Sequence, residues 1–278
     1  MSIRSNTTLK VGVAGLGAIG MPVARWLDQG LNSDIDGLTL SGVSAGDKTR
    51  ATTRVADFTN PPPVLNLSEL VTASDVLVEG LPPALFSELA EPAVEQGKTL
   101  IVMTLTSLLG RLDLVDRAKQ TGATIIAASG ALVGFDAIRA AAKGEIYSVV
   151  MKTRKPPEGL KKAPFVIEQG FDLDGLTEPL CLYKGSVRDA AAKFPANVNV
   201  AVALSLAGIG PDRTEYEIWA DPAVERNTHA ITVDADSVHL ELAIANVPSE
   251  ENPATGKLTA LSAIATLERL VSPFTVGT

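Results

Sequence analysis

Apolar residues along this chain come in two rhythms. In the first half, short unbroken apolar runs alternate with longer segments whose apolar residues recur every three or four positions. "KVGVA" (10–14), "LTLSGVS" (38–44), "SDVLVEG" (74–80), "KTLIVMT" (98–104) and "GATIIAA" (122–128) read as five strands. Residues 18–29, 83–96 and 107–120 read as helices. Strand alternating with helix at this spacing predicts parallel βαβ units with right-handed crossovers, and so a doubly wound sheet. The second half loses that rhythm. "EIYSVVMKTRK" (145–155) is a long strand-like run with no helix directly after it. "APFVIEQ" (163–169), "PLCLYKG" (179–185), "TEYEIWAD" (214–221), "HAITVDAD" (229–236) and "SVHLELAIANV" (237–247) follow and read mostly as strands, with helices near 186–192 and 197–206. That pattern predicts an α+β domain with a mostly antiparallel or mixed sheet. "KLTALSAIATLERL" (257–270) reads as an amphipathic helix. The expected division is 1–130 for the first domain and 131–252 for the second, with a C-terminal helix, 253–272, packing back on the first.

The first strand runs directly into "GLGAIG", in which Gly15, Gly17 and Gly20 have the spacing GxGxxG. Strand, glycine run, then helix is the context in which that spacing binds a dinucleotide. The first glycine permits the tight turn, the second lets backbone approach a pyrophosphate, and the third lets helix pack on strand. The phosphates then face the helix N-terminus, where Ala18 and Ile19 stand. The first domain is therefore expected to be a Rossmann-type parallel sheet. An acidic residue is expected at the end of the second strand, on the ribose 2′-hydroxyl. "GVSAGDKTR" (42–50) has Ser44 in that neighbourhood and Asp47 slightly late, with Lys48 and Arg50 able to meet a 2′-phosphate. The cofactor expectation is NAD or NADP, with the choice open; the alternative for these charges is a solvated loop.

Composition narrows the classes of partner. The chain has 278 residues, a formal net charge of -8 and no basic block, which argues against nucleic acid. No apolar run reaches the 18 residues of a membrane span. The polar N-terminus "MSIRSNTTLK" leads straight into a strand and does not read as a signal peptide. A single cysteine, Cys181, fits a reducing compartment, and the expected location is cytoplasmic. With only two histidines beside it, no structural zinc site is expected.

The second half carries the chemistry. "FPANVNVAVALSLAG" (194–208) places Asn197 and Asn199 at the start of a helix of small apolar residues. Either could be an N-cap, and two amides there could also orient a carboxamide or carboxylate. His229 follows a Pro turn in "DPAVERNTHAI" (221–231) and opens a strand. A dehydrogenase acting on an amine or alcohol needs a group that titrates near neutrality, and only His229 and His239 are on offer. His239 lies in an alternating strand that accounts for it.

"RKPP" (154–157), "YKGSVRDAAAKFPANVNVA" (183–201), "RNTHAI" (226–231) and "NPATGKLTALSAIATLERL" (252–270), with the glycine run and "SGALVGFDAIRAA" (129–141), resemble the L-aspartate dehydrogenase family over nearly the whole chain. The resemblance implies NAD(P)-dependent oxidative deamination of L-aspartate to iminosuccinate, which hydrolyses to oxaloacetate and ammonia. It implies His229 as the catalytic residue. It implies nicotinamide contacts from the Ser129–Gly130–Ala131 turn and from Asn197 or Asn199, and a homodimer, for which the alternating strands offer an exposed sheet face. A substrate with two carboxylates needs cations. Arg154, Lys155, Lys193 and Arg226 are the candidates, with Lys193 read as a surface charge and Asn227 as placing the histidine's loop. Two loops depart from the family pattern, "EGLPPALF" after the third strand and "TLTSLLGRLD" after the fourth. They leave open another dehydrogenase or reductase on a small amino or keto acid, or a non-catalytic NAD(P)-binding protein.

Overall fold

The computed structural model describes residues 8–30, 37–195, 197–252 and 255–277. Residues 1–7 and the start of the expected C-terminal segment, 253–254, lie outside the described residues. The chain divides into two compact units, Met1–Ala128 with Thr259–Thr275, and Ser129–Leu258 with Val276–Thr278.

In the first unit, β1 (Leu9–Ala14), β2 (Leu38–Ser44), β3 (Val76–Glu79), β4 (Thr99–Val102) and β5 (Thr124–Ala127) form one sheet in the order β2-β1-β3-β4-β5, all pairs parallel. β1 and β3 are covered on both faces, which is why their sequences are continuous apolar runs. Helix α1 (Gly20–Gln29) follows β1 and sets Val23, Ala24 and Leu27 into a core with Val11, Val13, Val43, Val76 and Val78. Three helices that apolar periodicity does not mark are set by their ends. Asp47 caps α2 (Lys48–Val55), and Asn66 and Glu69 form a capping box on α3 (Leu67–Ala73). Gly134, at a φ of 83°, opens α7 (Phe135–Ala141) in the second unit. The segment read as one helix over 83–96 is a 3₁₀ turn, Pro83–Leu85, followed by α4 (Phe86–Glu95). The segment 107–120 is likewise two helices, α5 (Leu105–Leu109) and α6 (Asp113–Thr121), broken after Gly110. The long C-terminal helix, which we number α11 (Lys257–Val271), contributes Ala263 and Leu267 to the first unit's core.

In the second unit, β6 (Ile146–Lys155), β7 (Leu180–Ser186), β8 (Glu215–Ala220), β9 (Thr228–Ala235) and β10 (His239–Ala245) make a mixed sheet in the order β10-β9-β6-β8-β7. Only β6 and β8 run parallel; the other pairs are antiparallel. One face is buried and includes Met151, Ile218, Ile231 and Val233. The other carries Lys152, Ala230, Asp234, Glu241 and Ala243, all exposed. One expected strand is a helix: "APFVIEQ" forms α8 (Pro164–Glu168). Proline at its first position starts the turn, and Phe165 packs into a ring cluster with Phe171, Tyr183 and Phe194. The β-prone composition yields there to tertiary packing. Helices α9 (Val187–Lys193) and α10 (Asn199–Ala207) complete the unit.

Candidate active site

The first unit carries a phosphate-sized cradle. Gly15 sits at a φ of 93°, a conformation that L side chains rarely adopt, and a Cβ on Gly20 would collide with the Gly15 carbonyl. Above Gly17 the space is open, with nothing within 4 Å of where a side chain would start. No side chain caps the first turn of α1. Its N–H groups and the positive end of its dipole are therefore available to an anion. The turn follows β1 between β2 and β3, where the strand order reverses, the usual binding crevice of such sheets. A pocket of about 420 Å³ opens at the ends of β2 and β3, lined by Ser44, Gly46, Lys48, Leu81 and Leu85 among others. These residues fit NAD or NADP. The segment read alternatively as a solvated loop is the N-terminus of α2. Asp47 Oδ1 accepts the Arg50 N–H at 2.9 Å as its cap. Lys48 lines the pocket. Arg54, which sequence reading missed, reaches from α2 to the Leu16 carbonyl in the glycine turn.

Glu79 ends β3 fully buried. Its carboxylate accepts the Leu81 N–H at 2.8 Å, the Met103 N–H at 3.2 Å, the Thr104 N–H at 3.0 Å and the Thr104 hydroxyl at 2.9 Å. It therefore ties together the two loops whose sequences depart from the family pattern. Burial raises its pKa, and the four donors work against that rise.

The second unit's site is built on the buried face of its sheet. In the β6–β9 ladder Thr153 stands opposite His229. Their side chains meet, with Thr153 Oγ1 3.0 Å from His229 Nδ1. The buried Tyr216 phenol hydrogen-bonds the same Thr153 hydroxyl. Lys155, two residues along β6, shares that face. It is buried, and its Nζ donates to Asn197 Oδ1 at 2.8 Å. Desolvation lowers Lys155 to about 8. Desolvation, and then the positive charge of Lys155, lower His229 to about 4. The ring is thus neutral near pH 7. A hydroxyl partner can serve either tautomer, whereas a carboxylate would fix one and stabilise the imidazolium. His229 can accordingly take or give a proton at Nε2.

The structure brings His229, Asn197 and Lys155 together, but not Arg154. Strand alternation places Arg154 on the opposite face, where it pairs with Asp221 at 2.7 Å and stacks on Trp219. Of the two adjacent cations expected to meet a carboxylate, Lys155 and not Arg154 therefore lies on the His229 face. Arg226 is exposed before β9, while Asn227 accepts the Asn246 N–H at 2.9 Å through its carbonyl. Neither asparagine is the N-cap of α10: Val198 holds that position without a side-chain bond, and Asn199 is the first helical residue. Ala131 is buried in a turn closed by the Leu132 N–H on the Ser129 carbonyl. His239 is exposed between Asp234 and Glu241, away from the buried face. Thr153 and Tyr216 were missed. The period of two in "MKTRK" already places Met151, Thr153 and Lys155 on one face, but the register that sets Thr153 against His229 is not written in either strand alone.

Residues 136–270 match the family described as "Aspartate dehydrogenase, C-terminal", and residues 15–128 match "Homoserine dehydrogenase, NAD binding domain". The L-aspartate dehydrogenase of Bradyrhizobium diazoefficiens is 48% identical over 99% of this chain and 96% of its own length. L-aspartate dehydrogenase 3 of Bordetella bronchiseptica is 48% identical over 99% of both chains. Among solved structures, the aspartate dehydrogenase of Thermotoga maritima superposes with a TM-score of 0.71 at 22% identity, covering 97% of this chain and 99% of that one, a likeness of fold. With near-half identity to curated members along its whole length, this chain belongs to the L-aspartate dehydrogenase family.

Proposed function

We infer that this chain catalyses the NAD(P)-dependent oxidative deamination of L-aspartate: L-aspartate, NAD(P)⁺ and water give oxaloacetate, ammonium, NAD(P)H and a proton. The observation that carries the reading is the buried His229, braced by Thr153 and set beside Lys155 and Asn197 on one sheet face. When bound, the nicotinamide supplies the acceptor for hydride from the substrate Cα. The glycine turn and the pocket at the ends of β2 and β3 suit the pyrophosphate and adenosine of that cofactor. Lys48 in the pocket wall favours acceptance of a 2′-phosphate, and the capped Asp47 leaves the ribose without a strong anionic bar to it. Asn197 and the 129–131 turn are the residues we assign to the carboxamide.

The substrate amine must be neutral to become an imine, so oxidation accelerates at alkaline pH. Lys155 supplies the charge for a carboxylate in a setting where burial makes each charge pair count. Burial, and then the Lys155 charge, hold the His229 pKa down, and a bound carboxylate cancels the second of these. The ring pKa rises in that state, and the ring takes the proton from the water that attacks the imine. A positioned general base of this kind contributes about 10² to 10⁴-fold. We further infer a homodimer formed through the exposed face of the second unit's sheet, in which the small Ala230 and Ala243 sit opposite one another.

The test is the initial rate of NADH and NADPH oxidation with oxaloacetate plus ammonium, each omitted in turn, for the wild type and His229→Ala. The expected result is a rate that needs both substrates and falls by about 10² to 10⁴-fold in the variant, with the cofactor's Kd unchanged. A wild-type rate in the variant would remove His229 from the chemistry. No rate with either cofactor would remove aspartate as the substrate.

A further inference from the structure

Among the described residues, one buried side-chain nitrogen or oxygen has no hydrogen-bond partner, and it is the Nδ2 of Asn246. The residue is 5% exposed. An amide nitrogen sealed from water without an acceptor is costly, and native proteins rarely tolerate one outside a functional site. The position of this one is informative. The Asn246 N–H donates to the Asn227 carbonyl at 2.9 Å, which continues the β9–β10 ladder beyond the Ile244–His229 pair. Side chains alternate along a strand, so Asn246 shares a face with Ile244 and therefore with His229. The β6–β9 ladder ends at the Arg154–Thr228 pair, and its register continued by one step points Lys155 toward Asn227. Lys155 and Asn246 thus flank one row of three strands, about 9 to 10 Å apart across two strand spacings. His229 stands in the adjacent row, within a diagonal step of about 7 to 8 Å from Asn246. The amide is also held in place. A Cβ on Gly256 would lie 3.2 Å from Asn246 Oδ1 and 3.3 Å from its Cβ and Cγ, so the glycine makes room for the side chain to pack flat.

We propose that Asn246 is a specificity residue whose Nδ2 donates to one carboxylate of a dicarboxylic substrate while Lys155 holds the other. The substrate Cα, one of the two carbons between the carboxylates, then faces His229. The substrate class is a short dicarboxylate with four carbons, and a monocarboxylic amino acid leaves the amide unpaired. This rests on the reading of the site as a dehydrogenase site, but its test does not depend on turnover.

The variant is Asn246→Asp, which keeps the shape against Gly256 and replaces the donor by an acceptor. Two ligands are titrated calorimetrically into the cofactor-loaded protein: succinate, which has both carboxylates and cannot react, and butyrate, which has one. The expected result is wild-type binding of succinate that weakens at least about 10-fold in the variant, with butyrate unchanged, cofactor affinity kept and the melting temperature held. In turnover, KM for L-aspartate rises by the same factor while kcat stays within about threefold. Equal loss for succinate and butyrate, or succinate binding untouched by the substitution, overturns the proposal. If Asn246→Asp does not fold, Asn246→Ala removes the donor without adding charge and is read by the same pair of ligands. Wild-type protein that binds succinate through Asn246 yet turns over no aspartate keeps this inference and sinks the activity reading instead.

Discussion

Lys155 controls the histidine it never touches through a hydrogen bond. Burial pushes His229 down, and the neighbouring ammonium pushes it further, to about 4. Lys155→Met removes the charge and keeps the volume, so the His229 pKa rises toward, but not to, its ordinary 6.5, because desolvation remains. An imidazole titration by NMR reads this, and an unchanged or lower pKa would show that the ammonium does not act on the ring. The same two groups set a pH signature for stability. A base whose pKa is lower folded than unfolded binds more protons when unfolded, so stability rises with pH across that interval. His229 gives such a rise between about 4 and 6.5, and Lys155 gives one between about 8 and 10.5. At this scale the histidine was legible, since few titratable groups near neutrality were present. Its partners were not. Arg154 and Lys155 are adjacent cations that sequence cannot rank, and only the pleat separates the one that faces His229 from the one that faces Asp221.

At the scale of elements, Glu79 joins the end of β3 to the start of the loop after β4. Glutamine in its place turns one acceptor oxygen into an NH2 group, so at least one of the backbone N–H donors that Glu79 holds loses its acceptor. Glu79→Gln is expected to cost about 1 to 3 kcal/mol. The measurements are a lower melting temperature and faster amide exchange at Thr104. Unchanged exchange there would mean the carboxylate does not hold the loop. Burial raises the folded pKa of Glu79, so its ionisation weakens the fold as pH rises through that interval. The neutral glutamine removes this dependence. Elements with a clear apolar rhythm, β1 to β4 and β8 to β10, were readable because burial on one or both faces writes itself into the sequence. Helix α2 was not, because "KTRATTRV" has almost no apolar face and is fixed by the Asp47 cap. Helix α8 was misread because aromatic and β-branched residues favour strands until a ring cluster claims them.

For the molecule as a whole, the exposed sheet face of the second unit is where association is expected. A stable interface buries roughly 800 Å² from each partner. A five-stranded face with small residues on β9 and β10 can supply that. Ala230→Arg places a bulky charge there, and light scattering should show the dimer dissociating to monomer with the fold intact. A wild type that is already a monomer would move the interface elsewhere or remove it. Within the face, Glu217 is held below the usual carboxylate range. Burial opposes this, but the Trp219 indole N–H, Lys184 and Lys152 prevail. The face is therefore crossed by neutralised charges.

The sequence by itself determined the parallel sheet and the glycine turn, because a backbone that must bend at Gly15 and pack closely at Gly20 tolerates few other residues. It also carried the resemblance to the family that holds the chain. Tertiary structure alone decided the membership of the site. Thr153 and Lys155 of β6, Asn197, Tyr216 and His229 come from four segments of the chain, and their convergence depends on strand register and on which face each side chain takes. Register is a relation between strands, fixed by pairing and by the burial of a shared face, and no single strand contains it.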